Sequence, residues 1–291
     1  MKAVRLFSFL VLTVLMASAT LDSSDAQDQD DEHPQIAHSS DAFEKTIQTS
    51  IKSLSESGFA NGLSRPSVGA SANQQYEKQR DLIKKELPIE AISEGNRGVK
   101  YDVILQPGHY GRPPDAGPRG TAGADVTERA LATYITNEIV KKLREDHLNV
   151  LVVSANKYLR PTAKGAAFDG LQTKVFLAIH ANGGEPPCSG KAGPSLGYKS
   201  DSSLYGMHTL GFSLSAAMGY AYKDFSRDNY TVNEAQYYMF NQVKADRLAG
   251  LLEVGELTCP DSEKRLIAAS KRIGDNVAHA IDFIVRTNGP M

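Results

Sequence analysis

Three apolar runs in this sequence end in, or close to, a side chain that can bind a metal or move a proton. "VILQPGH" ends in His109, "VFLAIH" ends in His180, and "GLLEVG" carries Glu253 near its end. In open α/β sheets the carboxyl ends of the strands form the ligand crevice, so three such residues would converge there from distant parts of the chain. Taken singly, each histidine reads as a turn or core residue; the regularity lies in the set. Glu128, in "ADVTERALATYI", is the fourth candidate, and two readings of it stand side by side. With Asp125 as the cap it completes a capping box at a helix start. Alternatively, from the first turn it points into the crevice above the first strand. Two neutral imidazoles and one carboxylate, with a fourth position left to water, make a catalytic zinc site rather than a structural one. A closed Cys-rich site is ruled out by a cysteine count of 2. Zinc lowers the pKa of water to about 7 and polarises a carbonyl, while a second carboxylate accepts the proton. Glu253 is the candidate for that base.

The elements that must position these residues follow from the pattern after about Val99. Tyr101 to Leu105, Val150 to Val153, Val175 to Ile179 and Gly250 to Val254 are short apolar runs, with a weaker one at Ser195 to Tyr198. They alternate with amphipathic helices, which predicts an α/β domain: a mostly parallel central sheet flanked by helices. One helix carries Leu131, Ile135, Ile139 and Leu143 on a single face, and the last carries Leu266, Ile273, Val277, Ile281 and Ile284. Both stripes are expected to face the core.

The chain has 291 residues, 41% of them hydrophobic, enough for one good core. A net charge of −2 offers no basic field for backbone phosphates, so nucleic acid is excluded as a partner. At the start, Lys2 and Arg5 precede an apolar stretch from Leu6 to Met16 and the small residues Ala17-Ser18-Ala19. This reads as a secretory signal peptide over residues 1–19, with cleavage after Ala19 or Ala26. The stretch is too short to span a bilayer, which takes about 20 residues, so no transmembrane anchor is expected after cleavage. Leu21 to Ser40, rich in Asp, Ser and Gln, reads as a solvated leader. A helix is expected on Phe43, Ile47, Ile51 and Leu54, with Asp41 and Glu44 as a capping box and Gly58 as its stop. Ser64 to Gln75 has linker composition, and a second helix from Tyr76 to Leu87 ends at Pro88. The division is therefore a signal peptide at 1–19, a leader with short helices of unassigned role at 20–98, and a catalytic domain at 99–291. Export would expose Cys188 and Cys259 to an oxidising compartment. Each follows a strand end at the same sheet edge, so a disulfide between them and two free thiols are both open.

From about Val99 to Arg286 the chain resembles the zinc-dependent N-acetylmuramoyl-L-alanine amidases, the amidase 3 group of bacterial cell-wall hydrolases. "QPGHYG" supplies the first histidine as His109, "VTERAL" the glutamate as Glu128, "AIHANG" the second histidine as His180, and "LLEVGEL" the catalytic glutamate as Glu253. Asn182 occupies the family position after the second histidine and is a substrate-binding candidate. The departures are Gln106 in place of Asp before Pro-Gly, a long loop containing Pro113, Pro114 and Pro118, "AKGAAFDGLQTK" before the second histidine strand, and Gly255-Glu256 after the base. They bear on groove shape and leave ligands and base in place.

The resemblance implies an amidase 3, phosphorylase/hydrolase-like fold and an exported enzyme, periplasmic or extracellular, with Zn2+ as cofactor and peptidoglycan as substrate. Zinc would be held by His109, Glu128 and His180. Glu253 would take a proton from the attacking water and pass one to the leaving amine. It leaves room for an activator or regulatory protein as a partner. Two other readings remain: a zinc peptidase or deacylase acting on another small amide, and a silent wall-binding or regulatory relative. Of the other histidines, His147 and His279 read as solvated and His208 as structural. Tyr220, Tyr222, Tyr230, Tyr237 and Tyr238 read equally as stacking surfaces or as packing.

Overall fold

The computed structural model describes residues 40–66, 72–89, 95–96, 98–110, 120–154, 170–183, 194–220, 222, 227–228 and 232–287. Within them the chain builds six strands: β1 (Lys100–Pro107), β2 (Val150–Val152), β3 (Leu171–Asn182), β4 (Ser195–Tyr198), β5 (Arg227–Asp228) and β6 (Val243–Glu256). Six α-helices accompany them: α1 (Ser40–Glu56), α2 (Ala72–Lys84), α3 (Glu128–Glu145), α4 (Leu204–Met218), α5 (Val232–Ala235) and α6 (Pro260–Arg286). The strands form one sheet in the order β2-β1-β3-β6-β4-β5. Strands β2, β1, β3 and β6 run parallel, β4 is antiparallel to β6, and β5 runs parallel to β4.

Alternation along the central strands feeds two cores. Val103 and Leu105 of β1, with Val175, Leu177 and Ile179 of β3, pack into the cluster that also holds α3, α4 and α6. Ile104, Phe176 and Ala178 point the other way and meet Leu251, Met239 and Phe240. All of the central residues of β1 and β3 are buried, which is why these strands read as continuous apolar runs rather than alternating ones. The predicted stripes are seated as expected: Leu131, Ile135, Ile139 and Leu143 of α3 and Leu266, Ile273, Val277 and Ile281 of α6 are fully buried.

After β1 the chain steps outward to β2 and then returns to the opposite side of β1 for β3. That reversal opens a crevice at the carboxyl ends of β1 and β3, the place where α/β sheets collect ligands. Past His180 the pairing of β3 with β6 shifts register: His180 opposes Glu253, but Asn182 opposes Glu256. The extra residue is accommodated at Gly255, whose φ of 150° suits glycine. A bulge there turns the end of β6 as it leaves the sheet.

The helices before Val99 join this core. Leu54 and Ile83 are fully buried, and Gly58 stops α1 with a φ of 74°. Asn276 of α6 bonds to Ser64 N at 2.8 Å, to Ser64 O at 2.9 Å and to Ser213 O at 3.1 Å, tying the chain after α1 to α4 and α6. Helix α2 covers Ala72–Lys84 rather than Tyr76 to Leu87, so the end of the expected linker is helical. Its Ala-Asn-Gln-Gln opening lacks an apolar stripe; Asn73 and Gln74 are exposed, and Gln75 accepts a hydrogen bond from Arg272 of α6 at 3.2 Å. His279 is not solvated as expected. Its Nε2–H donates a hydrogen bond to Phe59 O, 3.1 Å away, and its ring stacks on that of Phe59 at 4.9 Å. His147 is exposed and His208 is buried in α4, both as read from the sequence. The signal peptide, the leader and the side chains of Asp41 and Glu44 lie outside the described residues. Among the described residues no helix is long and apolar enough to cross a membrane.

Candidate metal centre

β1 ends at Pro107, and the next residues turn sharply. His109 adopts a φ of 58°, a left-handed conformation uncommon for a residue with a Cβ. Such strain persists where the surroundings fix it, and it concentrates at functional sites. The turn is tight because its neighbours are close: a Cβ on Gly108 would lie 2.7 to 2.9 Å from the His180 ring. Gly120, with a φ of 78°, lies against Glu128 and His109 in the same way.

Glu128 opens α3. The capping residue is Thr127, whose hydroxyl accepts from Ala130 N at 3.3 Å, and Asp125 does not cap. Both are good caps by residue type. Asp125 is engaged elsewhere, by the Tyr76 hydroxyl and by Lys84 at 3.6 Å. Glu128 is thereby free of the capping box, and its buried carboxylate faces both histidines. His109 Nε2 lies 3.1 Å from Glu128 Oε2, and His180 Nδ1 lies 2.8 Å from Oε1. Thr121 N donates to Oε2 at 2.9 Å and Ala181 N to Oε1 at 3.3 Å. Burial works against the ionised form of Glu128, but the hydrogen bonds and charges of His109 and His180 outweigh it and hold the carboxyl far below its ordinary value.

The ligand atoms of His109, Glu128 and His180 all lie within 4.8 Å of one another. Two imidazoles and a carboxylate suit zinc by donor chemistry, and tetrahedral ligand atoms about 2.1 Å from zinc are separated by roughly 3.4 Å, close to the contacts seen. The residues present therefore fit the ion. His109 Nδ1 is buried with no hydrogen-bond partner among the described residues.

Glu253 opposes His180 across the β3–β6 ladder, which puts both side chains on one face of the sheet. Its Oε2 is sealed from solvent and has no hydrogen-bond partner among the described residues. Burial, and then the charges of Glu128 and Glu234, push its carboxyl well above the ordinary value. It therefore holds a proton more tightly than an ordinary carboxyl does. Asn182 ends β3, and its amide donates to Ser195 Oγ at 2.9 Å.

Two sets of contacts around the site were not read from the sequence, where Gln106 stood only as a departure from the family pattern and Tyr237 and Tyr238 as stacking or packing residues. Gln106, fully buried, joins Tyr237 and Tyr238 behind His180. Glu263 of α6 accepts hydrogen bonds from the backbone N–H groups of Ala124, Asp125 and Val126 at 2.9, 2.8 and 3.0 Å, clamping the turn that leads into Glu128. Cys259 is buried and is not a free thiol; Cys188 lies outside the described residues.

Residues 103–282, more than half of the chain, match the family model described as N-acetylmuramoyl-L-alanine amidase. No curated protein matches the chain. Among solved structures, an N-acetylmuramoyl-L-alanine amidase from Clostridium difficile 630 is similar over 65% of this chain and 99% of its own, with 18% identity and a TM-score of 0.50. The amidase AmiC2 of Nostoc punctiforme is similar over 64% of this chain and 98% of its own, with 16% identity and a TM-score of 0.49. At such identity the likeness to the first is one of fold. With two strand-end histidines, a helix-opening glutamate and a strand-end glutamate gathered at the sheet's switch point, and with the family model covering them all, the chain belongs to the N-acetylmuramoyl-L-alanine amidase family.

Proposed function

We propose that this peptidoglycan amidase is zinc-dependent, with His109, Glu128 and His180 holding the ion and Glu253 acting as general base and acid. The observation that carries the reading is the convergence of the three ligand atoms within 4.8 Å beside a glutamate one of whose carboxyl oxygens is buried with no hydrogen-bond partner among the described residues. Bound there, zinc supplies a Lewis acid that polarises a carbonyl and brings the pKa of water down to about 7. Glu253 accepts a proton from the attacking water and delivers it to the amide nitrogen as the bond between the lactyl carbonyl and L-alanine breaks. Its raised proton affinity suits both halves of that transfer. Glu128 is held ionised between the histidines and the N–H groups of Thr121 and Ala181, so the ligand shell is oriented before substrate arrives. Asn182, fixed by Ser195 at the rim of the same strand, borders the substrate groove.

We further infer that the enzyme is exported and works outside the cytoplasmic membrane, supported by the charged start, apolar stretch and small-residue site of residues 1–19. Metal analysis of the purified protein is expected to give close to one zinc per chain, and His109→Ala or His180→Ala to strip it. Full zinc content in both variants would overturn the ligand assignment. Mass analysis of products from purified peptidoglycan should show stem peptides with free L-alanine amino termini; release of products cut elsewhere would point to a different amide.

A further inference from the structure

The geometry points to Tyr237, held by Gln106, as the positioning residue that decides which ring nitrogen of His180 is offered to the metal centre. The inference rests on the reading of His109, Glu128 and His180 as ligands. A neutral imidazole carries one N–H and one lone pair, and only the lone pair binds a metal; the hydrogen bond made by the other nitrogen sets the choice. His180 turns Nδ1 towards Glu128 at 2.8 Å and Nε2 towards the Tyr237 hydroxyl at 3.5 Å. For Nδ1 to serve as ligand, the proton must sit on Nε2 and needs an acceptor there.

A tyrosine hydroxyl can donate or accept, so Tyr237 alone would not choose. Gln106 removes the ambiguity. Its amide nitrogen donates to the Tyr238 hydroxyl at 3.0 Å, which leaves its carbonyl oxygen facing Tyr237 at 2.5 Å. A carbonyl oxygen can only accept, so the Tyr237 proton is committed to Gln106 and the hydroxyl meets His180 Nε2–H as an acceptor. Gln106 is fully buried, so water does not offer the amide an alternative orientation. The Tyr237 ring is in turn fixed by edge-on packing against His180 at 5.9 Å and Phe240 at 5.7 Å, and by Tyr238 at 4.7 Å. Strand β1, strand β3 and the turn before β6 thus contribute one directed chain of hydrogen bonds from the ligand histidine to the core.

The test uses the full chain with 15N-labelled histidine, loaded with zinc, read by long-range proton–nitrogen correlation and by chelator competition. His180 should bind through Nδ1 and carry a slowly exchanging proton on Nε2. Tyr237→Phe keeps the ring but leaves the buried Gln106 oxygen without this donor, so the melting temperature of the zinc-free protein should fall modestly while the fold is kept. That proton should nevertheless exchange faster, and zinc affinity should fall by about 10- to 100-fold, the usual effect of losing a hydrogen bond to a ligand. Gln106→Met, which frees the Tyr237 proton to point at Nε2, should lower zinc affinity as well while Tyr237 itself remains. Binding of His180 through Nε2, or parent zinc affinity in both variants, would overturn the positioning role while leaving the metal site intact. Failure of the parent to bind zinc at all would overturn both.

Discussion

Glu253 and Glu263 are ten positions apart in the sequence and differ in almost every physical respect. Glu263, 1% exposed in the first turn of α6, accepts three backbone N–H bonds, two at Oε1 and one at Oε2. Glu253 stands at the mouth of the sheet with a buried oxygen that no donor reaches among the described residues, and with carboxylates as its electrostatic neighbours. A buried carboxylate surrounded by donors is a fixed anchor, because its charge is already compensated. One deprived of donors holds on to a proton, and proton exchange is the chemistry an amidase needs. Burial alone does not separate the two glutamates; the supply of hydrogen-bond donors does.

The sharpest way to test that contrast is Glu253→Gln, which preserves size and removes proton transfer. Turnover of peptidoglycan is expected to fall by about 10² to 10⁴, with zinc content and melting retained. A variant that cleaves at the parent rate would remove Glu253 from the mechanism. The region between the two glutamates holds Cys259 at the start of α6, and we propose that it is bonded to Cys188. In the chain-entropy model, closing a loop of about 70 residues stabilises by roughly 4 kcal/mol, so reduction should lower the urea midpoint accordingly. Two alkylated cysteines in the non-reduced, denatured protein would rule the bond out. Next in size, Glu263→Ala leaves three backbone N–H groups without their acceptor and should cost about 2 to 3 kcal/mol in urea unfolding. Because the clamped turn leads into Glu128, zinc affinity should fall with it. Parent stability in this variant would show that the clamp does not hold the turn.

The smallest expected effect is in pH dependence and concerns the zinc-free protein. The carboxyl of Glu253 is raised in the fold above its ordinary 4.5, so the folded chain keeps a proton that the unfolded chain releases. The stability this contributes is complete below that ordinary value and is lost as pH climbs through the raised one. Glu253→Gln has no such loss, so its stability relative to the parent should increase as pH climbs above the ordinary 4.5. A difference that stays flat would mean that Glu253 is ionised and compensated like Glu263.

His109, Glu128, His180 and Glu253 were legible because each follows or opens a regular element, and the crevice rule says where such positions meet. The core stripes of α3 and α6 were legible for the same reason, through their period. Strands β3 and β6 extend well before the apolar runs that announce them, since Gln172 and Lys244 lie at the exposed starts of these strands, where side-chain type carries little signal. β5, with two residues, has no period at all. Glu263 was hidden because an acidic residue in a helix's first turn already has a common explanation in the helix dipole. Its partners are 137 to 139 positions away. Gln106 and Tyr237, 131 positions apart, pair only once β1 and the turn before β6 are in place.

The order of the sheet also has a kinetic meaning. β1 and β3 must pair across the excursion through α3 and β2, and β3 and β6 across the one through β4, α4, β5 and α5. Such distant pairings form late and slowly, because the loops must close before the contacts repay them. The grouping of His109, Glu128, His180 and Glu253 is therefore complete only when nearly the whole chain has reached its native arrangement. An ion that needs His109, Glu128 and His180 together would lock the finished fold and slow its unfolding, while doing little to speed the search that leads to it.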